Sequence, residues 1–278
     1  TAVTCNAVKA DCASLPGGCT EACDGIDNDC DGSVDETFNS KGSVAAHFVR
    51  PTVTQIAAST WVYTYEASRP KATSTDAGNG NGYWTSAPPG STLDRTPSCS
   101  MANRLPWFNV NPVEAQQTCT QMGGSLCSIE DWQTACRATS GCTYGYAPRN
   151  NLGGTACTTV ATATKYCNLG STFDFNDTLA GDQDGLLPTA SSRLQNCWSD
   201  WSSTTGNSTA TNRLYDITGN LRELTRNPTV NQYGVMGGSF NTQSQSASSC
   251  DFTFYTVDQQ FKFHDTGFRC CFSSNPTL

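Results

Sequence analysis

The chain has 278 residues, 16 of them cysteines, and a net charge of −8 from 16 Lys and Arg against 24 Asp and Glu. With no run of Lys or Arg it offers no nucleic-acid-binding face, and no apolar stretch approaches the roughly 20 residues of a membrane span. The even cysteine count, with no CxxC pair, no CxxCH and only two histidines (His47 and His264), points to disulfides rather than to zinc, iron–sulfur or haem sites. The expected location is therefore secreted, extracellular or cell-surface.

In chain order, residues 1–40 form a Cys/Asp-rich module with Cys5, Cys12, Cys19, Cys23 and Cys30 and almost no core-forming side chains. Burial alone cannot fold it, so disulfides, metal or both are needed. Its odd cysteine count requires one thiol to pair with the large domain, to pair outside the chain or to stay free. The stretch from Cys23 to Glu36 carries six carboxylates, among them Asp27, Asp29, Asp31 and Asp35, with Gly32 permitting a sharp turn. Hard oxygen ligands at alternate positions suit Ca²⁺, whereas position twelve from Asp27 is Phe38, so the loop is not an EF-hand. The alternative is a solvated acidic turn closed by a local Cys23–Cys30 bridge.

Residues 41–278 are read as one large domain. Apolar, β-branched text between residues 44 and 67 predicts two strands, and residues 74–98 read as a long Gly/Pro/Ser loop ordered by its surroundings. Asn111, Pro112 and Glu114 form a capping-box pattern, which predicts a helix running to about Met122 and stopping at Gly123-Gly124. Ser128 with Asp131 repeats the device and opens a second helix to about Arg137. Two helices among short strands and long loops predict an α+β domain with little regular secondary structure. In residues 241–265, the alternating members of Phe252, Phe254, Tyr255, Phe261 and Phe263 are read as strand-core residues.

Six motifs in order carry a family resemblance. They are YEAS at 65–68, WFNVNPVEAQQTC at 107–119, GSLCSIEDWQTACR at 124–137, LYDITGNLRELT at 214–225, VMGGSF at 235–240 and TGFRCC at 266–271. Together they resemble the formylglycine-generating-enzyme (sulfatase-modifying factor) family over roughly residues 60–271. The resemblance implies that family's irregular, C-type-lectin-like α+β fold. It also implies two calcium sites, one using Asp216, Gly219, Leu221 and Glu223, the other Asn168, Leu169, Asp184 and Leu186. Disulfides Cys119–Cys270 and Cys136–Cys250 are implied in the same way. The acidic loop in turn resembles the CDGxDNDCDGxVDE motif of bacterial surface proteins, including MopE-type copper proteins, and thrombospondin type-3 calcium loops.

The family's enzymes oxidise a substrate cysteine with copper held by two cysteines just after GGS. Here the matching positions are Thr242 and Ala247, and a hydroxyl and a methyl group cannot hold Cu(I) as two thiolates do. The HxxxHxE iron motif of the related sulfoxide synthases is missing as well, as are GxSxG, HExxH and Walker patterns. The expectation is a non-catalytic, calcium-binding surface protein acting as a ligand-binding or adhesive module, with Ca²⁺ as its cofactor. Its partner would be a protein or glycan at the cell surface, or further copies of itself. The alternatives are a structural subunit of an extracellular filament or coat, and a copper-binding protein or oxidase using His47 and His264.

Overall fold

In the computed structural model, the residues described are 22–23, 25, 27–28, 35, 49–78, 97–139, 141–146, 157–158, 166–169, 185–201, 212–228, 232–242, 245–253 and 256–276. The two strands expected early in the large domain are β1 (Val53–Ala57) and β2 (Thr60–Tyr63), an antiparallel hairpin with an irregularity between Gln55 and Ala57. Thr54 and Ile56 point inward along β1 while Gln55 between them stays half-exposed, as a one-sided strand requires. The Gln55 side-chain amide donates to the carbonyls of Ala57 and Ala58 and so closes the turn.

Helix α1 (Pro112–Gln121) opens on the capping box read from the sequence. Asn111 Oδ1 accepts from the Glu114 N–H, and Glu114 Oε2 accepts from the Asn111 N–H, both at 2.9 Å. Two of the otherwise unpaired first-turn donors are thereby satisfied. Helix α2 (Ile129–Arg137) begins where Ser128 Oγ accepts from the Asp131 N–H. Strand β3 (Ser125–Leu126) lies between the helices. Later strands are β4 (Trp198–Asp200), β5 (Arg213–Tyr215), β6 (Arg222–Arg226), β7 (Tyr233–Met236), β8 (Thr256–Val257), β9 (Thr266–Phe268) and β10 (Cys270–Phe272).

These strands form a four-stranded sheet in the order β1-β2-β10-β3, a β4-β5 pair, and a second four-stranded sheet in the order β8-β7-β6-β9. Among the described strands only β6 and β9 pair in parallel, with an isolated parallel bridge between Ser128 and Arg226. One apolar cluster joins Tyr63, Trp107, Met122, Leu126, Leu224 and Phe268, and a second joins Ile56, Val62, Trp132, Leu214, Ile217 and Met236. A third is built largely from tyrosines, leucines and four half-cystines.

Six disulfides join all 12 described cysteines. Cys119–Cys270 ties α1 to β10, Cys127–Cys271 ties the start of α2 to the same strand, and Cys136–Cys250 anchors the end of α2. The first and third are the bridges the family resemblance implied. The expected local Cys23–Cys30 bridge does not form: Cys23 pairs with Cys99, 76 residues away. The odd cysteine of the acidic module is thus tied to the large domain. Four cysteines (Cys5, Cys12, Cys19 and Cys30) lie outside the described residues.

Of the aromatics read as strand core, Phe252 and Phe263 are 41% and 43% exposed, and Phe254 and Tyr255 lie outside the described residues. Strand β8 holds only two residues and β9 starts at Thr266, so residues 258–265 are not paired into a sheet and their alternation has no buried side to follow. Phe261 does pack against the first core cluster. The loop at 74–98 is described only at its two ends.

Candidate functional site

The chain between β5 and β6 winds through three left-handed residues: Asp216, Gly219 and Asn220, at φ 55°, 82° and 59°. A Cβ on Gly219 would stand 2.5 Å from the Asn168 carbonyl oxygen, so this close approach of two backbones excludes any other residue. Asn220 repays its unusual backbone with a full set of side-chain bonds. Its Nδ2 donates to Glu66 Oε2 and to the Leu187 carbonyl, and its Oδ1 accepts from Asn168 Nδ2 and the Leu187 N–H. The Asn220 N–H also donates to the Asn168 carbonyl at 2.8 Å. The two regions in which the resemblance placed calcium ligands, Asn168-Leu169 and Asp216–Glu223, therefore meet around one asparagine.

Beneath this turn sits a buried charge cluster. Glu66 Oε1 accepts from the Leu221 N–H at 2.9 Å, Asp216 Oδ2 from the Ala190 N–H at 2.6 Å, and Glu223 Oε2 from Trp132 Nε1 at 2.7 Å. Arg269 is fully enclosed: its Nε donates to Glu223 Oε1 at 2.6 Å, its Nη1 to the carbonyls of Tyr63 and Thr64, and its Nη2 to that of Tyr215. Three carboxylates and one guanidinium, all buried, leave a formal excess of two negative charges when ionised. Such an excess is costly away from water unless protons or another cation offset it.

The titration behaviour follows. Desolvation, reinforced by Asp216, pushes Glu66 well above the usual carboxylate range. Desolvation raises Asp216 to about 6, against the opposing Ala190 hydrogen bond and the Arg269 charge. Glu223 is raised by burial as well, despite its contacts with Arg269 and Trp132.

Of the remaining candidate ligands, Leu169 is buried and Leu186 half-buried, while Asp184 lies outside the described residues. Asn168 Oδ1 is buried without a hydrogen-bond partner among the described residues. In the acidic module Asp27 is half-buried and Asp35 is buried at a left-handed φ of 49°, whereas Asp29 and Asp31 lie outside the described residues, as does His47. Among the described residues no group of three or more His, Cys, Asp or Glu side chains is arranged to hold a metal ion by itself. Sequence reasoning missed Glu66, Asn220 and Arg269 as members of the cluster. All three sit inside the quoted motifs YEAS, TGN and GFR, and that placement was the available signal.

The GGSF segment adjoins this turn, the Phe240 N–H donating to the Asn220 carbonyl at 3.0 Å. The Ser239 N–H donates to Thr242 Oγ1 at 2.6 Å, and Ser239 Oγ donates to Asp265 Oδ2, which also pairs with Arg222. Thr242 and Ala247 are both buried, and Cys250 is bonded to Cys136. His264 lies between Phe240 and the exposed Phe263, its ring 6.1 Å and 4.5 Å from theirs.

A six-motif order, a disulfide-rich α+β architecture and this buried turn define a protein of the formylglycine-generating-enzyme fold. The sequence matches the sulfatase-modifying factor enzyme 1-like domain over residues 34–273, and the chain belongs to that family. Similar solved structures include PvdO from Pseudomonas aeruginosa, at 12% identity and a TM-score of 0.43, covering 77% of this chain and 80% of that one. Treponema denticola variable protein 1 is similar at 12% identity and TM-score 0.45, covering 81% and 92%. CarF is similar at 19% and 0.41, covering 77% and 85%. A comparison with curated proteins finds no match.

Proposed function

We propose that this chain is a non-catalytic member of its family, a calcium-stabilised ligand-binding module working outside the cell or at its surface. The observation that carries the reading is the chemistry after GGSF. Where the family's copper thiolates stand, this chain has the Thr242 hydroxyl, engaged by the Ser239 N–H, and the buried Ala247 methyl. The nearest later thiol, that of Cys250, is consumed in a disulfide. These residues do not fit Cu(I), which requires soft sulfur ligands.

The residues do fit calcium. Asn168 Oδ1, a buried oxygen without a partner among the described residues, is the kind of hard donor Ca²⁺ takes. With it would stand the Leu169 and Leu186 carbonyls and the Asp184 carboxylate. Asp216, Glu223 and the carbonyls of Gly219 and Leu221 would hold a second ion, and the two-charge excess of the buried cluster matches one divalent cation. Asp27, Asp29, Asp31 and Asp35 form a third, N-terminal calcium loop in this reading. Bound calcium would supply the positive charge that keeps the buried carboxylates ionised. The binding role is assigned to the segment after GGSF, where Phe252 and Phe263 are exposed.

Twelve bridged cysteines support an oxidising compartment, and no helix among the described residues is long and apolar enough to cross a membrane. Pairing Cys23 within the chain leaves an even number of cysteines in the amino-terminal module, which removes the need for an interchain bridge that a filament subunit would have explained.

The test has two arms. Purified protein loaded with Cu(I) and given a sulfatase-type cysteine peptide is expected to leave the peptide unchanged. Formylglycine above the no-protein control refutes the non-catalytic reading. Thermal melts with and without excess chelator are expected to separate by several degrees, because a ligand at about 100 times its Kd stabilises the fold by roughly 2.7 kcal/mol. Superimposable melts, with no calcium found by elemental analysis, refute the calcium reading.

A further inference from the structure

A cleft of about 290 Å³, lined by no residue of the charge cluster or of the GGSF segment, opens where the β1–β2 turn, the end of α1, the first turn of α2 and the ends of β6 and β10 meet. Its walls include Thr60, Gly124, Ser125, Asp131, Arg226 and Phe272. The volume falls just under the range of about 300–1,000 Å³ that suits drug-sized ligands, so the occupant is smaller than these.

The cleft holds one positive and one negative side chain, each fixed by the protein rather than by the other. Arg226 Nε donates to the Leu126 carbonyl at 2.9 Å, and the residue's own N–H donates to the Cys127 carbonyl. Asp131 Oδ2 accepts from Ser128 Oγ at 2.7 Å, within the cap of α2. Among the described residues no ion pair joins Arg226 and Asp131. Among the described residues, the two Nη groups of the arginine and Oδ1 of the aspartate are the charged atoms left unused by hydrogen bonds. A guanidinium anchored through Nε presents its remaining donors as a preformed fork for a carboxylate, and an anchored carboxylate accepts from a cation or a hydroxyl. Opposite charges left unpaired across one small cleft are satisfied together by a ligand carrying the complementary pair.

We propose that this cleft binds a small carboxylate bearing a neighbouring hydrogen-bond donor, the pattern of a free α-amino acid. Its carboxylate sits on the Arg226 fork and its ammonium on Asp131, with Thr60 and Ser125 supplying polar contacts at the rim. A sugar acid presents the same carboxylate with hydroxyls in place of the ammonium. The proposal does not rest on the loss of oxidase chemistry or on calcium, so its failure leaves those readings standing.

Isothermal titration of the full chain with L-serine, L-glutamine and D-glucuronate tests it, with L-serinamide as the probe lacking a carboxylate. Saturable binding of at least one acid is expected, with serinamide silent. Amino acids binding in preference to glucuronate assigns the donor as an ammonium, and the reverse assigns it as a hydroxyl. Asp131→Asn, which keeps an acceptor for Ser128, and Arg226→Gln should each weaken binding about tenfold or more, with little change in melting temperature. Should Arg226→Gln fail to fold, Asp131→Asn with the serinamide control decides. The proposal is overturned by no saturable binding of any probe up to about 10 mM, by serinamide binding as well as serine, or by affinity unchanged in the folded variants.

Discussion

Replacing Arg269 by methionine removes the one buried cation that faces three buried carboxylates. Methionine fills comparable space, so the loss is chiefly electrostatic. Glu223 would keep only its bond from Trp132, and the carbonyls of Tyr63, Thr64 and Tyr215 would each lose a donor. Breaking one side of a buried ion pair costs about 3–5 kcal/mol. The Thr64 carbonyl keeps the Tyr215 N–H, and each of the other two adds about 1 kcal/mol. Proton uptake by the carboxylates limits the total, and a net loss of at least about 4 kcal/mol is expected, a large share of an ordinary domain's 5–15 kcal/mol. For a domain of this size that lowers the melting temperature by about 10 °C or more. Circular dichroism melts at neutral pH with disulfides intact measure it. Arg269→Lys should recover less than half the loss, because one ammonium cannot span four acceptors held by a planar fork. A methionine variant melting within about 3 °C of the parent would refute the idea that this guanidinium holds the two sheets to the β5–β6 turn.

Two further outcomes follow from the same geometry. In chelator, Asp216 titrates at about 6 in the fold against 3.8 when unperturbed, so the folded state holds its proton longer than the unfolded chain does. Stability is then highest below about pH 4 and falls as pH rises toward 6, by on the order of 3 kcal/mol, and Asp216→Asn should flatten that slope in denaturant titrations. A slope unchanged in the asparagine variant would remove Asp216 as its source. Asn111→Ala deletes half of the capping box on α1 and should cost about 1–2 kcal/mol in the same titration, with a loss under a few tenths counting against the cap.

The helices and the first hairpin were legible because their signals are local. Asn111, Pro112 and Glu114 declare the start of α1 within four residues, and Gly123 follows its end with φ at 81°. The charge cluster was only half legible. Asp216 and Glu223 lie in one motif, but Glu66 and Arg269 reach it from opposite ends of the domain, and nothing near either residue announces the other. Cys23 illustrates the same limit. A partner seven residues away looked sufficient, yet the bond runs to Cys99, a contact set by packing rather than by spacing. Phe252 and Phe263 misled in another way, since alternation signals burial only where a strand forms to give it two sides.

Strand β10 occupies an interior place between β2 and β3 in its sheet. Its two adjacent half-cystines, Cys270 and Cys271, receive the thiols of Cys119 and Cys127 across separations of 151 and 144 residues. A chain emerging from its amino end therefore carries β2 and β3 without the strand between them, and two waiting thiols, until residues 270–272 have been made. Oxidation that ran ahead of synthesis would find Cys119 and Cys127 near each other in sequence and their true partners not yet present. Correct maturation accordingly calls for thiol–disulfide exchange that can undo early pairings, and losing residues 270–272 would take out the middle of a sheet.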